Sequence, residues 1–215
     1  MLLSTAYFPP VAWFALAARD MTLSPARVQA SRIFLEACEN YQKQSYRNRC
    51  YILAGDGVQM LQVPVVHRAD MSIRSVLVDY STPWVVRTLR ALDAAYQSSA
   101  WYDYYRDEVA ALLQAKPGTL WELNLSTLRW CLGRLGIASE ISPTSTFSLP
   151  GTETDDYREL IHPKRTCTVL ESLGLEKPYY QVFRDRMGGF TPRLSGLDLL
   201  FNEGPDSIGW IKRLH

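Results

Sequence analysis

Residues 32–66 read RIFLEACENYQKQSYRNRCYILAGDGVQMLQVPVV, and this stretch decides the fold because short apolar runs alternate in it with polar segments. The runs at 32–37 and 50–53 have the length and composition of strands. Gly-Asp-Gly at 55–57 follows the second run and predicts a tight turn into a hairpin partner over 59–66. This part of the chain is therefore predicted to be sheet.

The regions on either side of this stretch extend the pattern. Residues 2–7 predict a short buried strand, Pro10 is placed to open a helix that runs to Ala18, and residues 73–79 predict a further extended piece. Beyond residue 80 the apolar period becomes helical. Helices are predicted over residues 85–96, 102–114 and 121–136, and over 194–212 with a break at Gly204-Pro205. This order predicts an α/β fold in a single domain, residues 1–215, with a mixed sheet in the N-terminal part and helices following.

Residues around 140–165 differ from both regions. They are rich in Ser, Thr, Pro, Asp and Gly, which predicts a long, mobile connection. Connections of this length in compact domains act as lids or partner-binding segments, or are simply disordered, and the sequence leaves these alternatives open.

Composition excludes several classes of protein. The chain has 215 residues, 47% of them hydrophobic, and a formal net charge of +1, which gives no basic excess for binding nucleic acid. No apolar run reaches the roughly 18 residues of a membrane span. Because the sequence has no GxSxG, P-loop, GxGxxG or HExxH motif, it predicts none of the activities that depend on them, and no cofactor.

The cysteines bear on metal binding and location. They show no CxxC spacing and no His at the distance of a metal ligand, so the sequence predicts no metal site. The apolar stretch 11–18 is preceded by prolines and by no Lys or Arg, unlike an export signal. We therefore expect a cytoplasmic protein with four free thiols: Cys38, Cys50, Cys131 and Cys167.

Residues 39–49, ENYQKQSYRNR, are the strongest candidate for a site, because all eleven carry hydrogen-bonding groups. Arginine offers a planar fork of donors and tyrosine an apolar body with a polar tip, a combination suited to an anionic, hydroxyl-rich ligand. Glu39 would accept a proton from an attacking amine or hydroxyl. The alternatives are a charged surface loop, and for Glu39 a salt bridge to Arg47 or Arg49. The predicted ligand-binding residues here are Asn40, Tyr41, Lys43, Arg47, Asn48 and Arg49.

A second polar and aromatic cluster lies nearer the C-terminus. Its predicted ligand-binding members are Tyr179, Tyr180, Gln181 and Asp198. Asp198 shares one helical face with Asn202, for which a purely structural hydrogen bond is the alternative. Trp84 is placed either to stack on a sugar ring or to fill the core.

Taken with Val63-Pro64-Val65, residues 39–50 resemble the WbqC-like family, which is found in bacterial surface-polysaccharide gene clusters and as stand-alone members in many Bacteroidetes. Further matches follow in family order along nearly the whole chain: residues 6–10, 79–81 with Trp84, 94–99, 102–105, 122–124, 177–183 and 197–205. The resemblance implies a cytoplasmic transfer of an acyl or aminoacyl group to an amino-sugar or related glycan precursor. The implied partners are a sugar or nucleotide-sugar and an acyl donor or acyl carrier.

Two positions depart from the family pattern. Many similar proteins have His just before Glu-Asn-Tyr and another His a few residues after the Trp, whereas this chain has Cys38 and Thr88. Either Cys38 is a nucleophile, or it is a small buried hydrophobe and inert. The alternative function is accordingly a catalytically inactive ligand-binding or scaffolding protein of a glycan pathway.

Overall fold

The structure is a computed structural model that describes residues 1–19, 22–24, 27–151, 155–164 and 178–212, with backbone alone for 22–24 and 27–29. The strands are β1 (Leu2–Ser4), β2 (Thr22–Ser24), β3 (Arg27–Gln29), β4 (Ser31–Glu36), β5 (Arg49–Ala54), β6 (Gly57–Gln62) and β7 (Ser139–Pro143). The helices are α1 (Val11–Arg19), α2 (Trp84–Tyr96), α3 (Tyr102–Gln114), α4 (Leu120–Arg134), α5 (Gly196–Glu203) and α6 (Ser207–Lys212), with a 3₁₀ turn, Gly204–Asp206, between the last two. The α/β fold class predicted from the sequence is confirmed.

Strands β1, β4 and β7 form a parallel sheet in the order β1-β4-β7, and two of the three come from the N-terminal part of the chain. In β4, Ile33 and Leu35 are buried while Arg32 and Phe34 face outward, as the period of two in a strand requires. Helix α1 contacts this strand and is buried along nearly its whole length. The strands β1, β4 and β7 therefore all end at one edge, after Ser4, Glu36 and Pro143.

The predicted hairpin is present as β5 and β6, which pair antiparallel from Arg49 opposite Gln62 to Ala54 opposite Gly57. Gly57 has φ of +130°, a backbone conformation open to glycine. The predicted extended piece at 73–79 is wrong as a strand. It makes only isolated bridges, such as Val78 with Val65, because turns at its start interrupt the ladder.

The helices confirm the predicted helical period. The predicted 102–114 coincides with α3, and α4 begins at a capping box in which Thr119 and Glu122 bond each other's backbone. Helix α5 packs so closely on α1 that a Cβ at Gly196 would lie 2.5 Å from Cε2 of Phe14. This contact closes the core behind the parallel sheet.

Strand β7 was not predicted. The sequence assigned its residues to the start of the connection around 140–165, because Ser139–Pro143 is short, polar and mostly exposed. It forms a strand because β4 offers a parallel partner, with Ile33 opposite Ile141. Whether the rest of that connection is mobile stays a prediction, and residues 152–154 within it lie outside the described residues.

Candidate functional site

The polar segment 39–49 joins β4 to β5 and divides into an inner and an outer set of side chains. Glu39, Arg47 and Asn48 are buried, whereas Lys43 is exposed and Arg49 partly exposed. From α4, the buried Asn124 holds the segment by donating its amide Nδ2 to the carbonyl oxygen of Arg47 over 2.8 Å. One run of sequence thus supplies an internal polar cluster and a polar surface.

The outer set, together with the buried Asn48, lines one open cavity of about 290 Å³, which we call the Arg49 cavity. Its walls are Tyr41, Lys43, Gln44, Asn48, Arg49, Gln62, Pro64, Val65 and His67. Four predicted ligand-binding residues, Tyr41, Lys43, Asn48 and Arg49, are therefore brought together. Asn40 is exposed and does not line this cavity.

Hydrogen bonds fix the walls of the Arg49 cavity. Arg49 donates Nε to Oε1 of Gln62 across the hairpin over 3.1 Å, which leaves the rest of its guanidinium fork for other acceptors. Asn48 donates Nδ2 to the carbonyl oxygen of Val63 over 2.9 Å, while its buried Oδ1 has no hydrogen-bond partner among the described residues. Burial raises the pKa of Tyr41, and the charge of Arg49 opposes this rise. Tyr41 is thus a neutral phenol that can donate a proton in a hydrogen bond.

The inner set centres on a buried ion pair between Glu39 and Arg47. Arg47 donates Nε to Oε1 of Glu39 over 2.8 Å and a terminal nitrogen to Oε2, and it also donates to Ser4 and Gln42. Burial raises the pKa of Glu39, with the hydrogen bond and charge of Arg47 acting in the opposite direction. The sequence offered Arg47 or Arg49 as the partner of Glu39, and the structure shows Arg47. This ion pair occupies both carboxylate oxygens of Glu39. The proton-accepting role predicted for Glu39 stays a prediction.

Cys38 has an exposed thiol, so the alternative that it is a small buried hydrophobe is wrong. The turn after β4 points its Sγ at the carbonyl oxygen of Thr144, 3.7 Å away, while its backbone N–H donates to Glu36 over 2.8 Å. Thr144 belongs to the rim of a cavity of about 440 Å³, the Phe34 cavity. That cavity is lined by Met1, Leu2, Phe34, Pro143, Thr144, Ser145, Thr146, Ser148 and Asp155.

The other cysteines concern the predicted redox state. Cys50 and Cys131 are buried and are free thiols, as predicted, and Cys167 lies outside the described residues.

The predicted cluster around Asp198 is assembled but sealed. The carboxylate of Asp198 accepts from Tyr96 over 2.6 Å, from Tyr179 over 2.5 Å and from Nε2 of Gln181 over 3.1 Å. All four side chains are buried. Burial raises the pKa of Asp198, and these three hydrogen bonds oppose the rise. These hydrogen bonds join the segment at 179–181 to α5 and α2 around the buried carboxylate, which gives the cluster a structural role.

Tyr180 and Trp84 lie away from both clusters. Tyr180 is exposed, with its backbone N–H bonded to Glu203. Trp84 is buried and stacks on Tyr80 with ring centroids 5.7 Å apart, which matches its alternative as a core residue. Thr88, one turn further along α2, is also buried.

Sequence reasoning missed a second buried ion pair at the edge where the parallel strands end. Arg158 donates to Glu36 over 2.7 Å and to both oxygens of Asp156, and Thr144 donates to Glu36 over 2.7 Å. Arg158 is 122 residues from Glu36 in sequence. The available signal was Glu36 itself, an acidic residue at the last position of a strand, directly after an apolar run.

The described residues contain neither a candidate metal site nor a candidate membrane span. Among the described residues, no group of His, Cys, Asp and Glu side chains is arranged to hold a metal ion. In the same part of the chain, no helix combines the length and hydrophobicity needed to cross a membrane.

Comparison with known proteins gives two matches. The pattern of the WbqC-like protein family matches residues 6–174. The chain is also similar to "Uncharacterized protein Rv1507c" of Mycobacterium tuberculosis, with 26% identity over 194 residues that cover 80% of this chain and 84% of that protein. No solved structure matches.

Proposed function

This chain belongs to the WbqC-like protein family, and from this premise we propose that it binds an anionic glycan precursor, such as a nucleotide-sugar, in the Arg49 cavity. The observation that carries the proposal is the convergence of Lys43, Arg49 and the phenol of Tyr41 on one open cavity. None of the described residues that line it is acidic, so the positive charge is not offset within its walls. Guanidinium and ammonium groups are the standard recognition elements for phosphate.

The size and hydrogen-bonding capacity of the cavity agree with such a ligand. A volume of about 290 Å³ is just below the usual range for small-molecule sites, so this open cavity suits the phosphate-bearing part of a nucleotide-sugar better than a large hydrophobic compound. Gln44 and Gln62 in its walls carry amide groups that can donate to and accept from hydroxyl groups. Lys164 contacts Gln44 and adds a third cation at the rim.

Titration calorimetry tests this binding, with UDP-N-acetylglucosamine as probe and uncharged N-acetylglucosamine as comparison. We expect Arg49→Ala to weaken binding of the nucleotide-sugar about 10- to 100-fold, because a hydrogen bond to a charged group contributes about 1.5–3 kcal/mol. Arg90→Ala removes an exposed arginine on α2 that does not line the cavity, and it is the matched control. Equal affinities of the two variants would contradict the proposal.

The second candidate function is transfer of an acyl or aminoacyl group to an amino-sugar, and the exposed thiol of Cys38 beside the Phe34 cavity favours it. In this reaction Sγ attacks the carbonyl carbon of a thioester donor, such as an acyl carrier, and the donor's sulfur leaves as a thiolate. The amine of the acceptor then attacks the acyl-cysteine, gives up a proton, and releases the Cys38 thiolate. A cytoplasmic location is part of this proposal, since free thiols persist in reducing compartments.

Brief alkylation of the native protein by iodoacetamide, followed by mass spectrometry, tests the first requirement of transfer. We expect Cys38 to be labelled well before Cys50 and Cys131, which are buried and whose pKa values are raised by burial. Incubation with an acyl-coenzyme A should then add one acyl group to wild type and none to Cys38→Ser. Acylation that persists in Cys38→Ser would reject this cysteine as the nucleophile and leave binding as the function.

A further inference from the structure

The edge where β1, β4 and β7 end is covered by residues 155–161, which we call the strap. The strap lies against β1 through two backbone hydrogen bonds, from Leu2 to Asp155 and from Tyr157 to Leu2. Its Arg158 reaches under this cover and pairs with Glu36. In open α/β sheets the carboxyl ends of parallel strands are the usual place for ligands.

The strap supplies the cation that Glu36 pairs with. The body of the protein supplies two buried carboxylates, Glu36 and Glu39, and one guanidinium, Arg47, which is committed to Glu39. The cation of Glu36 comes from the strap as Arg158, which brings its own carboxylate in Asp156. An uncompensated buried charge costs several kcal/mol. Displacement of the strap therefore leaves Glu36 without its cation, and another cation there would replace Arg158.

Beneath the strap is also a polar space that side chains leave unfilled. A small cavity of about 10 Å³, roughly the volume for one water molecule, is lined by Ser4, Thr5, Arg47, Tyr157 and Arg158 among others. Glu36 does not line it and adjoins it through its bond to Arg158. Thr5 is 1% exposed, and its Oγ1 has no hydrogen-bond partner among the described residues. Thr5 thus offers a free hydroxyl group next to this space.

We propose that Glu36, with the hydroxyls of Ser4 and Thr5, forms a second ligand site for a hydroxylated primary amine, and that Arg158 occupies this site in the closed structure. A protonated amine replaces the guanidinium on Glu36 charge for charge. A divalent metal ion fits less well, because such ions take six or more oxygen ligands and this site offers one uncommitted carboxylate. The inference rests on the proposed acyl transfer for the amine's role as acceptor, since the backbone N–H of Cys38 bonds the same carboxylate. Amine binding itself is measured independently of that reaction.

Titration calorimetry with glucosamine, in mildly acidic buffer that keeps the amine protonated, tests the site. Because Arg158 competes for Glu36, wild type should bind weakly, and Arg158→Gln should bind about tenfold or more tightly. Asp156→Asn removes an acceptor of Arg158 without touching Glu36, so it should also tighten binding and serves if Arg158→Gln fails to fold. Arg106→Gln, at an exposed ion pair with Asp93, is the matched control and should bind as wild type does.

Three further arms make the result decisive. Glucose, which lacks the amine, should not bind, and adding Glu36→Gln to Arg158→Gln should abolish glucosamine binding. Saturation with glucosamine should speed hydrogen exchange at the N–H of Tyr157, which bonds β1 in the closed strap. Equal affinity of wild type, Arg158→Gln and Asp156→Asn, or binding that survives Glu36→Gln, would overturn the site. Arg49→Ala should leave glucosamine affinity unchanged, so this result and the nucleotide-sugar result can fail separately.

Discussion

The Asp198 cluster and the Arg49 cavity contain similar residue types and have opposite environments. Each carboxylate oxygen of Asp198 accepts at least one hydrogen bond, and its partners are buried with it. At the Arg49 cavity, the ammonium of Lys43 is exposed and Oδ1 of Asn48 lacks a partner among the described residues. Polar composition alone therefore does not distinguish a stabilising cluster from a binding site. What distinguishes them is whether the chain itself satisfies each group, so substitutions in the first should reduce stability and those in the second should reduce binding.

The largest expected effect is at Arg47, whose position in the inner set resembles that of Asp198. We expect Arg47→Ala to lower the free energy of unfolding by about 3–5 kcal/mol, because it leaves the buried Glu39 without its cation. Urea denaturation measures the loss. The double variant Arg47→Ala with Glu39→Gln should recover part of it, since no buried charge then remains unpaired. A double variant less stable than Arg47→Ala would show that the unpaired charge is not the cause.

Asp198→Asn should have the next largest effect. Both Tyr96 and Tyr179 donate to the carboxylate, and an amide nitrogen cannot accept the second of these bonds. The expected loss is about 2–3 kcal/mol in the free energy of unfolding, with binding of UDP-N-acetylglucosamine unchanged. Asp185→Asn, at an exposed position, is the control and should stay within about 0.5 kcal/mol of wild type. If Asp198→Asn abolished ligand binding in a folded protein, the cluster would be part of a site after all.

Asp198 should also make the stability of the protein depend on pH. Burial raises the pKa of Asp198, so between the unfolded and folded pKa values the native state retains a proton that the unfolded state has lost. The stability contributed by this group is therefore greatest below the ordinary pKa of about 3.9 and falls as pH rises through the folded value. Because Asp198→Asn has no such proton, the stability difference between wild type and variant should shrink as pH rises above about 4. A difference that grows over this range would mean that hydrogen bonds outweigh burial.

Local structure was readable from the sequence where neighbours in the chain determine it. The hairpin at 55–57 and helix α3 follow from turn residues and from a helical apolar period within about a dozen positions. Strand β7 was not predicted because its pairing with β4 is not local and its residues are mostly polar. A strand is recognised in a sequence by the alternating apolar residues of its buried face, and β7 has no fully buried residue.

The same limit applies to the candidate site. Tyr41, Lys43 and Arg49 fall within nine positions, so their convergence could be inferred from one polar run. The pairing of Glu36 with Arg158 spans 122 positions and depends on how the strap lies over the sheet. Whether Asp198 is sealed or open depends likewise on the packing of three distant segments. Residue types at a site were thus predictable, and their burial was not.

The smallest expected effect on stability belongs to the Arg49 cavity itself. Arg49→Ala and Lys43→Ala should each change the free energy of unfolding by no more than about 0.5 kcal/mol, because both charges are at the surface and neither has a buried acidic partner. Removing a repelled positive charge should even make Lys43→Ala slightly more stable at low ionic strength, an effect that salt should abolish. Urea denaturation with and without added salt measures this. A loss of 2 kcal/mol or more, roughly the cost of an unsatisfied buried group, would place Arg49 with Arg47 in the internal framework and remove the contrast with the Asp198 cluster.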